Sequence, residues 1–262
     1  MILAVDGGNS NTTVGLFNGT GELLFRALLE TSRSKTRDQC AIELLGVFQL
    51  YGADACTVDG AILSSVVPPL TTIFTDAIAR LTGIPPMVVG PGIRTGLNIK
   101  AEIHNQLGSD IVASSVAAIA KYPSPIVMVD MGTATSLSLI VGSVYEGCII
   151  MPGLALALDA LSERAAALPP ISIETASPVG LMGHTTEEAM RSGVLYGHAS
   201  MVDGMLERIE ESIGQSVTTV ATGGNAPRIL RYCKRPIQYD ADLIMTGLYL
   251  LYQKNAKKYR KA

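Results

Sequence analysis

With 262 residues, 48% of them apolar and 16% charged, the chain can bury a sizeable core, in one large domain or two of ordinary size. A formal charge of −3 argues against a nucleic-acid or membrane-surface partner, since either would favour basic patches. Four scattered cysteines, Cys40, Cys56, Cys148 and Cys233, have neither metal-ligand nor redox spacing and read as ordinary thiols of a reducing compartment.

The elements follow in chain order. Ile2 to Val5 reads as a buried strand, and Asp6 follows too early for the segment to be a signal peptide. A polar turn, Asp6-Gly7-Gly8-Asn9-Ser10-Asn11-Thr12, leads into a second apolar stretch, Val14 to Phe17. Gly60 to Leu63 and Met87 to Val89 read as further buried strands. Gly108-Ser109-Asp110 precedes a helix expected to run to Ala120; on pattern alone Asp110 is a first-turn acid favoured by the helix dipole. Two prolines in Tyr122-Pro123-Ser124-Pro125 break that helix and suggest a boundary, giving halves of 1–122 and 123–262.

The second half opens as the first does. Ile126 to Val129 is followed by Asp130-Met131-Gly132-Thr133-Ala134-Thr135-Ser136 and then by Leu137 to Val141. Strand, Asp-bearing polar turn and strand thus occur twice, as expected of a duplicated α/β fold. The apolar run from Cys148 to Leu158 is too short to span a bilayer and contains Pro152 and Gly153. Thr185-Thr186-Glu187-Glu188 has the form of a capping box. Behind it Met190, Val194, Met201, Met205 and Ile209 recur at near-helical spacing, predicting one long helix to about Glu211 with the methionines as core filler. Ser216 to Val220 reads as a strand running into Ala221-Thr222-Gly223-Gly224-Asn225, with a helix after it. Asp242 to Lys254 is expected to form the last helix, and Lys257, Lys258, Arg260 and Lys261 its solvated end. These features together predict a soluble, cytoplasmic protein.

An oligophosphate needs backbone N–H donors, small residues that permit close approach, and hydroxyls; its metal needs carboxylates. Both repeated turns supply all of these. The P-loop pattern GxxxxGK[ST] is absent, and so is a GxGxxG after a strand. The Gly223-Gly224 pair would let an adenine lie against backbone, although Gly-Gly after a strand is also simply a turn.

Several segments together resemble the type III pantothenate kinase family: DGGNSNTT at the start, SSVVPPL at Ser64 to Leu70, VVGPGIRTGLNI at Val88 to Ile99, VDMGTATS, MPGLALALDALSERAAALP at Met151 to Pro169, MRSGVLYGHASMVDG at Met190 to Gly204, ATGG at Ala221 to Gly224 and DADLIMTGL at Asp240 to Leu248. The resemblance implies a fold of two duplicated RNase H-like halves of the actin-like ATPase type, with a nucleotide cleft between them. It implies phosphorylation of pantothenate by ATP, the first step of coenzyme A biosynthesis. Carried over by position, Asp6, Gly7, Gly8, Asn9, Ser10, Asn11, Thr12 and Thr13 form the first phosphate loop, Thr133 contacts phosphate, and Gly223 and Gly224 meet the nucleotide. Asp6 would hold magnesium and Asp130 a monovalent cation, potassium or ammonium. Asp110 matches the catalytic base, Gly108 and Ser109 lie in the substrate loop, and Thr186 matches a residue that reaches substrate across a homodimer. Apolar residues on more than one face of the long helix (Val194, Leu195, Met201, Val202, Met205) suggest the same assembly.

The chain departs from the family pattern around the substrate. The family's Gly-(Ala/Cys)-Asp-Arg reads Gly-Ser-Asp-Ile here, so Ile111 stands where the resemblance expects an arginine, the natural partner of a carboxylate. Ala101 stands at the expected tyrosine, the second half's Gly-Gly reads Gly147-Cys148, and the Arg-Thr-Ala motif reads Lys35-Thr36-Arg37. Arg94, Arg37 and Lys100 are the cations that could restore the charge, with Arg94 the preferred candidate. Two other readings stay open: a kinase of the same fold acting on another small hydroxylated metabolite, and a regulator that keeps the fold without catalysis.

Overall fold

A computed structural model describes residues 1–100, 107–173 and 179–259, without the side chains of 257–259. Ala101, His104, Arg260 and Lys261 therefore lie outside the described residues, as do the side chains of Lys257 and Lys258. The chain divides into two compact units, Met1–Lys121 with Asp242–Ala262, and Tyr122–Ala241.

The first unit holds a five-stranded sheet. Its strands are β1 (Ile2–Gly7), β2 (Asn11–Phe17), β3 (Leu23–Glu30), β4 (Gly60–Ser65) and β5 (Met87–Val88), in the order β3-β2-β1-β4-β5. β1 pairs antiparallel with β2 and parallel with β4. All six residues of β1 are buried, as its unbroken apolar run requires, whereas β3 alternates in burial as an edge strand does. Helices α1 (Arg37–Leu50) and α2 (Pro68–Thr82) cover one face. α1 begins in a full capping box: Gln39 N–H donates to the Thr36 hydroxyl and Thr36 N–H to the Gln39 side chain. α2 starts on Pro68 and ends on Gly83, which adopts the left-handed conformation. Leu3, Val5, Leu16, Leu44, Phe48 and Leu70 fill this layer. A short strand β6 (Asn98–Ile99) precedes helix α3 (Ser109–Lys121), which ends just before the two prolines.

The second unit repeats the plan. Strands β7 (Ile126–Met131), β8 (Ala134–Val141), β9 (Val144–Pro152), β10 (Thr218–Thr222) and β11 (Gln238–Tyr239) run in the order β11-β10-β7-β8-β9. β7 pairs antiparallel with β8 and parallel with β10, so each unit has an antiparallel hairpin joined to parallel strands at the same edge. Helices α4 (Leu154–Arg164), α5 (Thr186–Ile213) and α6 (Ala226–Leu230) pack with Val127, Val129, Met131 and Leu137 in one core. At the start of α5, Thr185 caps Glu188 N–H, while the Glu188 carboxylate reaches the backbone of His184 instead of that of the capping residue.

Two expectations are corrected. The last helix, α7 (Leu243–Tyr259), does not belong with residues 123–241. Its Met245, Leu248 and Leu251 join Ile2, Ala4, Ile62, Ala113 and Val116 on the face of the first sheet opposite α1 and α2. α7 meets α3 closely: a Cβ at Gly247 would lie 1.9 Å from the Ala113 carbonyl oxygen. Burial of this apolar stripe, not chain order, decides which unit owns the helix. The second correction concerns α5. Val194, Leu195 and Val202 are buried in their own unit, and of the apolar residues taken to need outside cover only Met201 is largely exposed, at 39%.

Candidate active site

The carboxyl-terminal edge of the parallel strands in the first unit gathers most of the residues singled out in the first half. Asp6 lies next to last on β1, directly beside Thr13 on β2 and Ser64 on β4. Residues opposite one another share a face of the sheet, here the face covered by α3 and α7. Asp6 is 8% exposed. The next residue, Gly7, leaves just enough space: a Cβ there would sit 3.2 Å from the Phe74 ring and 3.3 Å from Ser65 Oγ. Gly8 closes the turn by donating its N–H to the Asn11 carbonyl at 3.0 Å, leaving Asn9, Ser10 and Asn11 exposed at the tip. Thr12 points the other way. Its hydroxyl is buried and bonded to Thr31 Oγ1 at 2.8 Å, so it ties β2 to the end of β3.

Helix α3 delivers Asp110 to this edge. Ser109 Oγ lies 2.9 Å from Ser64 Oγ and donates to the Ser65 carbonyl at 3.3 Å. The Asp110 carboxylate folds back over Gly108, where a Cβ would come within 2.3 Å of Oδ1. That oxygen accepts from Ile111 N–H at 2.8 Å. Burial raises the Asp110 carboxyl above its ordinary value, against the lowering effect of backbone N–H groups at Ile111 and at Asp110 itself. A half-buried carboxylate held at a helix start with a raised pKa has the properties of a proton acceptor.

In the second unit Asp130 lies next to last on β7, beside Ser136 on β8 and Thr222 on β10, the counterpart of Asp6. The turn after it is fixed by backbone contacts: Gly132 N–H donates to the Ala134 carbonyl and Asn225 N–H to the Met131 carbonyl. The Asn225 side chain donates to the Gly132 carbonyl at 3.2 Å. Gly223 has φ +92°, and a Cβ on it would fall 2.6 Å from the Met131 carbonyl oxygen and 2.7 Å from Asp130 Oδ1. The glycine pair singled out after β10 therefore abuts the second aspartate turn, with Gly223 against it and Gly224 in open space. Thr186 stands apart, exposed in the first turn of α5.

Three residues here lack any assignment from the sequence. Gly153, at the start of α4, lies against the turn at Gly132 and Thr133. Asn225 ties the two loops together, as above. His198, from the middle of α5, is buried and places Nε2 2.8 Å from Oγ1 of Thr135, the second residue of β8. Gly153 and Asn225 sit inside strand-to-helix junctions visible in the sequence; His198 carries no local signal. Burial lowers the His198 pKa below its ordinary 6.5, so the ring is neutral, and Nδ1 has no hydrogen-bond partner among the described residues. The unfolded chain therefore takes up a proton at His198 more readily than the folded one. Stability from this group is complete above about pH 6.5 and lost as pH falls below it. His198→Gln keeps a donor near Nε2 and cannot titrate. The wild type is expected to lose more Tm than this variant between pH 7.5 and 5.5; parallel losses would contradict the assignment.

The geometry also rules on Arg94, the preferred candidate for the missing charge. Buried Asn255 accepts from Arg94 N–H and donates to the Arg94 carbonyl, at 2.9 and 3.0 Å, and Lys254 Nζ donates to the Thr95 carbonyl. These residues lie beyond Tyr252, whose hydroxyl is against Gly60, the first residue of β4. Ser64 and Ser109 meet at the other end of that strand, about 13 Å away at 3.3 Å per residue. Arg94 is thus held at the wrong edge of the sheet to replace an arginine at 111. Arg37 starts α1 at the correct edge, where Thr31 N–H donates to the Ser10 carbonyl.

Residues 2–208 match the family model described as Type III pantothenate kinase. The chain is 38% identical over 258 residues to a "Type III pantothenate kinase" of Exiguobacterium sp., covering 98% of this chain and all of that one. A relative of the same name from Geobacillus thermodenitrificans is 39% identical over 259 residues, with 98% and 99% covered. The chain belongs to the type III pantothenate kinase family. Among solved structures, a "conserved putative Baf family transcriptional activator" from Campylobacter jejuni matches with TM-score 0.60 at 19% identity, over 97% of this chain and 99% of that one. The "ROK Hexokinase" of Thermus thermophilus matches with TM-score 0.51 at 14% identity, over 98% and 99%. At such identities the likeness speaks for the fold alone, a mixed α/β architecture. Membership in this family makes the chain a small-molecule kinase, and among its described residues no helix is long and apolar enough to cross a membrane.

Proposed function

We infer that the protein transfers the γ-phosphoryl group of ATP to the primary hydroxyl of pantothenate, giving 4'-phosphopantothenate for coenzyme A biosynthesis. Near-full-length membership in the family carries this reading, and the half-buried Asp110 with its raised pKa agrees with it. Asp110 accepts the hydroxyl proton. The hydroxyl oxygen forms a bond to the γ-phosphorus, and the bond from that phosphorus to the β–γ bridging oxygen breaks, releasing ADP. Gly7, Gly8, Asn9, Ser10, Asn11, Thr13 and Thr133 hold phosphate oxygens through backbone N–H groups, hydroxyls and amides, Gly223 and Gly224 make room for the nucleoside, and Gly108 and Ser109 line the substrate loop. Each unit offers one carboxylate next to last on a strand, Asp6 on β1 and Asp130 on β7, followed within two residues by a glycine, which supports a cation bound beside phosphate. Asp6 would hold magnesium and Asp130 potassium or ammonium; bound there, such cations neutralise phosphate charge. A homodimer in which Thr186 reaches the partner's substrate, in the cytoplasm, completes the reading.

Two measurements test it. Pantothenate-dependent ADP release should require magnesium and rise when potassium replaces sodium, and Asp130→Ala should abolish that rise. Equal rates in sodium and potassium for both proteins would remove Asp130 from cation binding. ATP consumed only with a different alcohol in the assay would favour the paralogous-kinase reading instead.

A further inference from the structure

The residues assigned to chemistry in the first unit sit on separate pieces of chain: Asp6 at the end of β1, and Asp110 at the start of α3, more than a hundred residues later. The Ser109 hydroxyl ties the first residue of α3 to β4, the strand beside β1. Ser64 is fully buried and stands directly beside Asp6 in the sheet. Its hydroxyl meets that of Ser109 at 2.9 Å. Ser109 also donates toward the Ser65 carbonyl, at 3.3 Å. A hydroxyl has one proton, so it serves one acceptor at a time. If Ser109 donates to the Ser65 carbonyl, Ser64 donates to Ser109 and both hydroxyls are satisfied. A buried serine without that partner would carry an unmet donor in a dry strand, which is costly.

We propose that Ser64 is a positioning residue for Asp110: through Ser109 it locks the first turn of α3 against β4 and so sets the carboxylate at the edge of the sheet that carries Asp6. The proposal rests on the reading of Asp110 as the base. Among the described residues, Asp110 Oδ1 bonds within its own turn, to Ile111 N–H, so where the carboxylate points follows from where the turn is pinned. Misplacement of a reacting group by about 1 Å can cost about a hundredfold, and Ser64 is itself fully buried.

The test is a double-mutant cycle of Ser64→Ala and Ser109→Ala, reading kcat, KM for each substrate, the pH dependence of kcat, and Tm. Ser64→Ala is expected to lower kcat about tenfold with KM for ATP within about twofold. The pH of half-maximal kcat on the acid side should move in the same variant, because the environment of the carboxylate changes. Since the two serines act as one device, the double variant should be no slower than the slower single. The proposal is overturned if Ser64→Ala turns over within about twofold of wild type, if the two effects on kcat multiply, or if kcat falls only as far as the folded fraction does. Asp110→Asn, run in parallel, separates the two levels: if it keeps near-normal turnover, the assignment of the base has failed, whatever Ser64 does.

Discussion

Asp110→Asn is expected to bind nucleotide normally and to turn over about a hundredfold more slowly or worse, as loss of a positioned base requires. The substitution is nearly isosteric. The amide oxygen can still accept from Ile111 N–H, and the carboxylate's proximity to Gly108 needs no rearrangement, so Tm should hold or rise slightly, since a partly desolvated charge is removed. What is lost is basicity. Burial already raises the Asp110 carboxyl above its ordinary 3.8. The base works only when deprotonated, so wild-type kcat should fall as pH drops through that raised value, higher than an exposed aspartate would give. The asparagine variant should lack this limb. A variant with near-normal kcat, or one retaining the acid limb, would take Asp110 out of the mechanism.

Gly153→Ala is expected to raise KM for ATP by tenfold or more while leaving KM for pantothenate nearly unchanged. Gly153 has φ −74°, a conformation open to any residue, so conformational freedom is not the reason for glycine. Space is. A Cβ would lie 2.2 Å from the Thr133 carbonyl oxygen and 2.7 Å from that of Gly132. Both are backbone atoms, so no side chain can swing aside, and either the start of α4 or the phosphate turn must move. Displacement of a binding group by about 1 Å can cost up to a hundredfold. Gly46→Ala is the control. Gly46 lies inside α1 with open space where a Cβ would go, and alanine there should stabilise the helix by up to about 1 kcal/mol. Unchanged ATP affinity in Gly153→Ala would show that the turn near Thr133 does not hold the nucleotide.

Much of the fold was legible because its signals are local. The Asp-bearing turns after Val5 and Val129 sit between apolar runs, and the structure makes both into antiparallel hairpins, with Asp6 opposite Thr13 and Asp130 opposite Ser136. The glycine pair after β10 was legible for the same reason. Helices α1 and α2 have caps visible in the sequence, at Thr36 and at Pro68 with Gly83, yet in α1 the exposed Ile42, Leu45 and Leu50 blur the stripe formed by buried Cys40, Leu44, Val47 and Phe48. What stayed hidden depends on distance along the chain. The side of the sheet that α7 covers is decided by which apolar face remains open, and Ser64 finds Ser109 across 45 residues. Arg94 illustrates the converse: near Asp110 in sequence, it is carried to the far edge of the sheet by Asn255. The role of His198 depends wholly on where α5 crosses β8.

The most direct test of the function is to incubate the purified protein with ATP, magnesium, potassium and pantothenate, and to weigh the products by mass spectrometry. The result expected is one phosphate added to pantothenate, in equal amount to the ADP formed, and about a hundredfold less product or lower from Asp110→Asn in the same time. Pantothenate recovered unmodified from a folded, ATP-binding protein, whichever other alcohol it phosphorylates, would contradict the assignment.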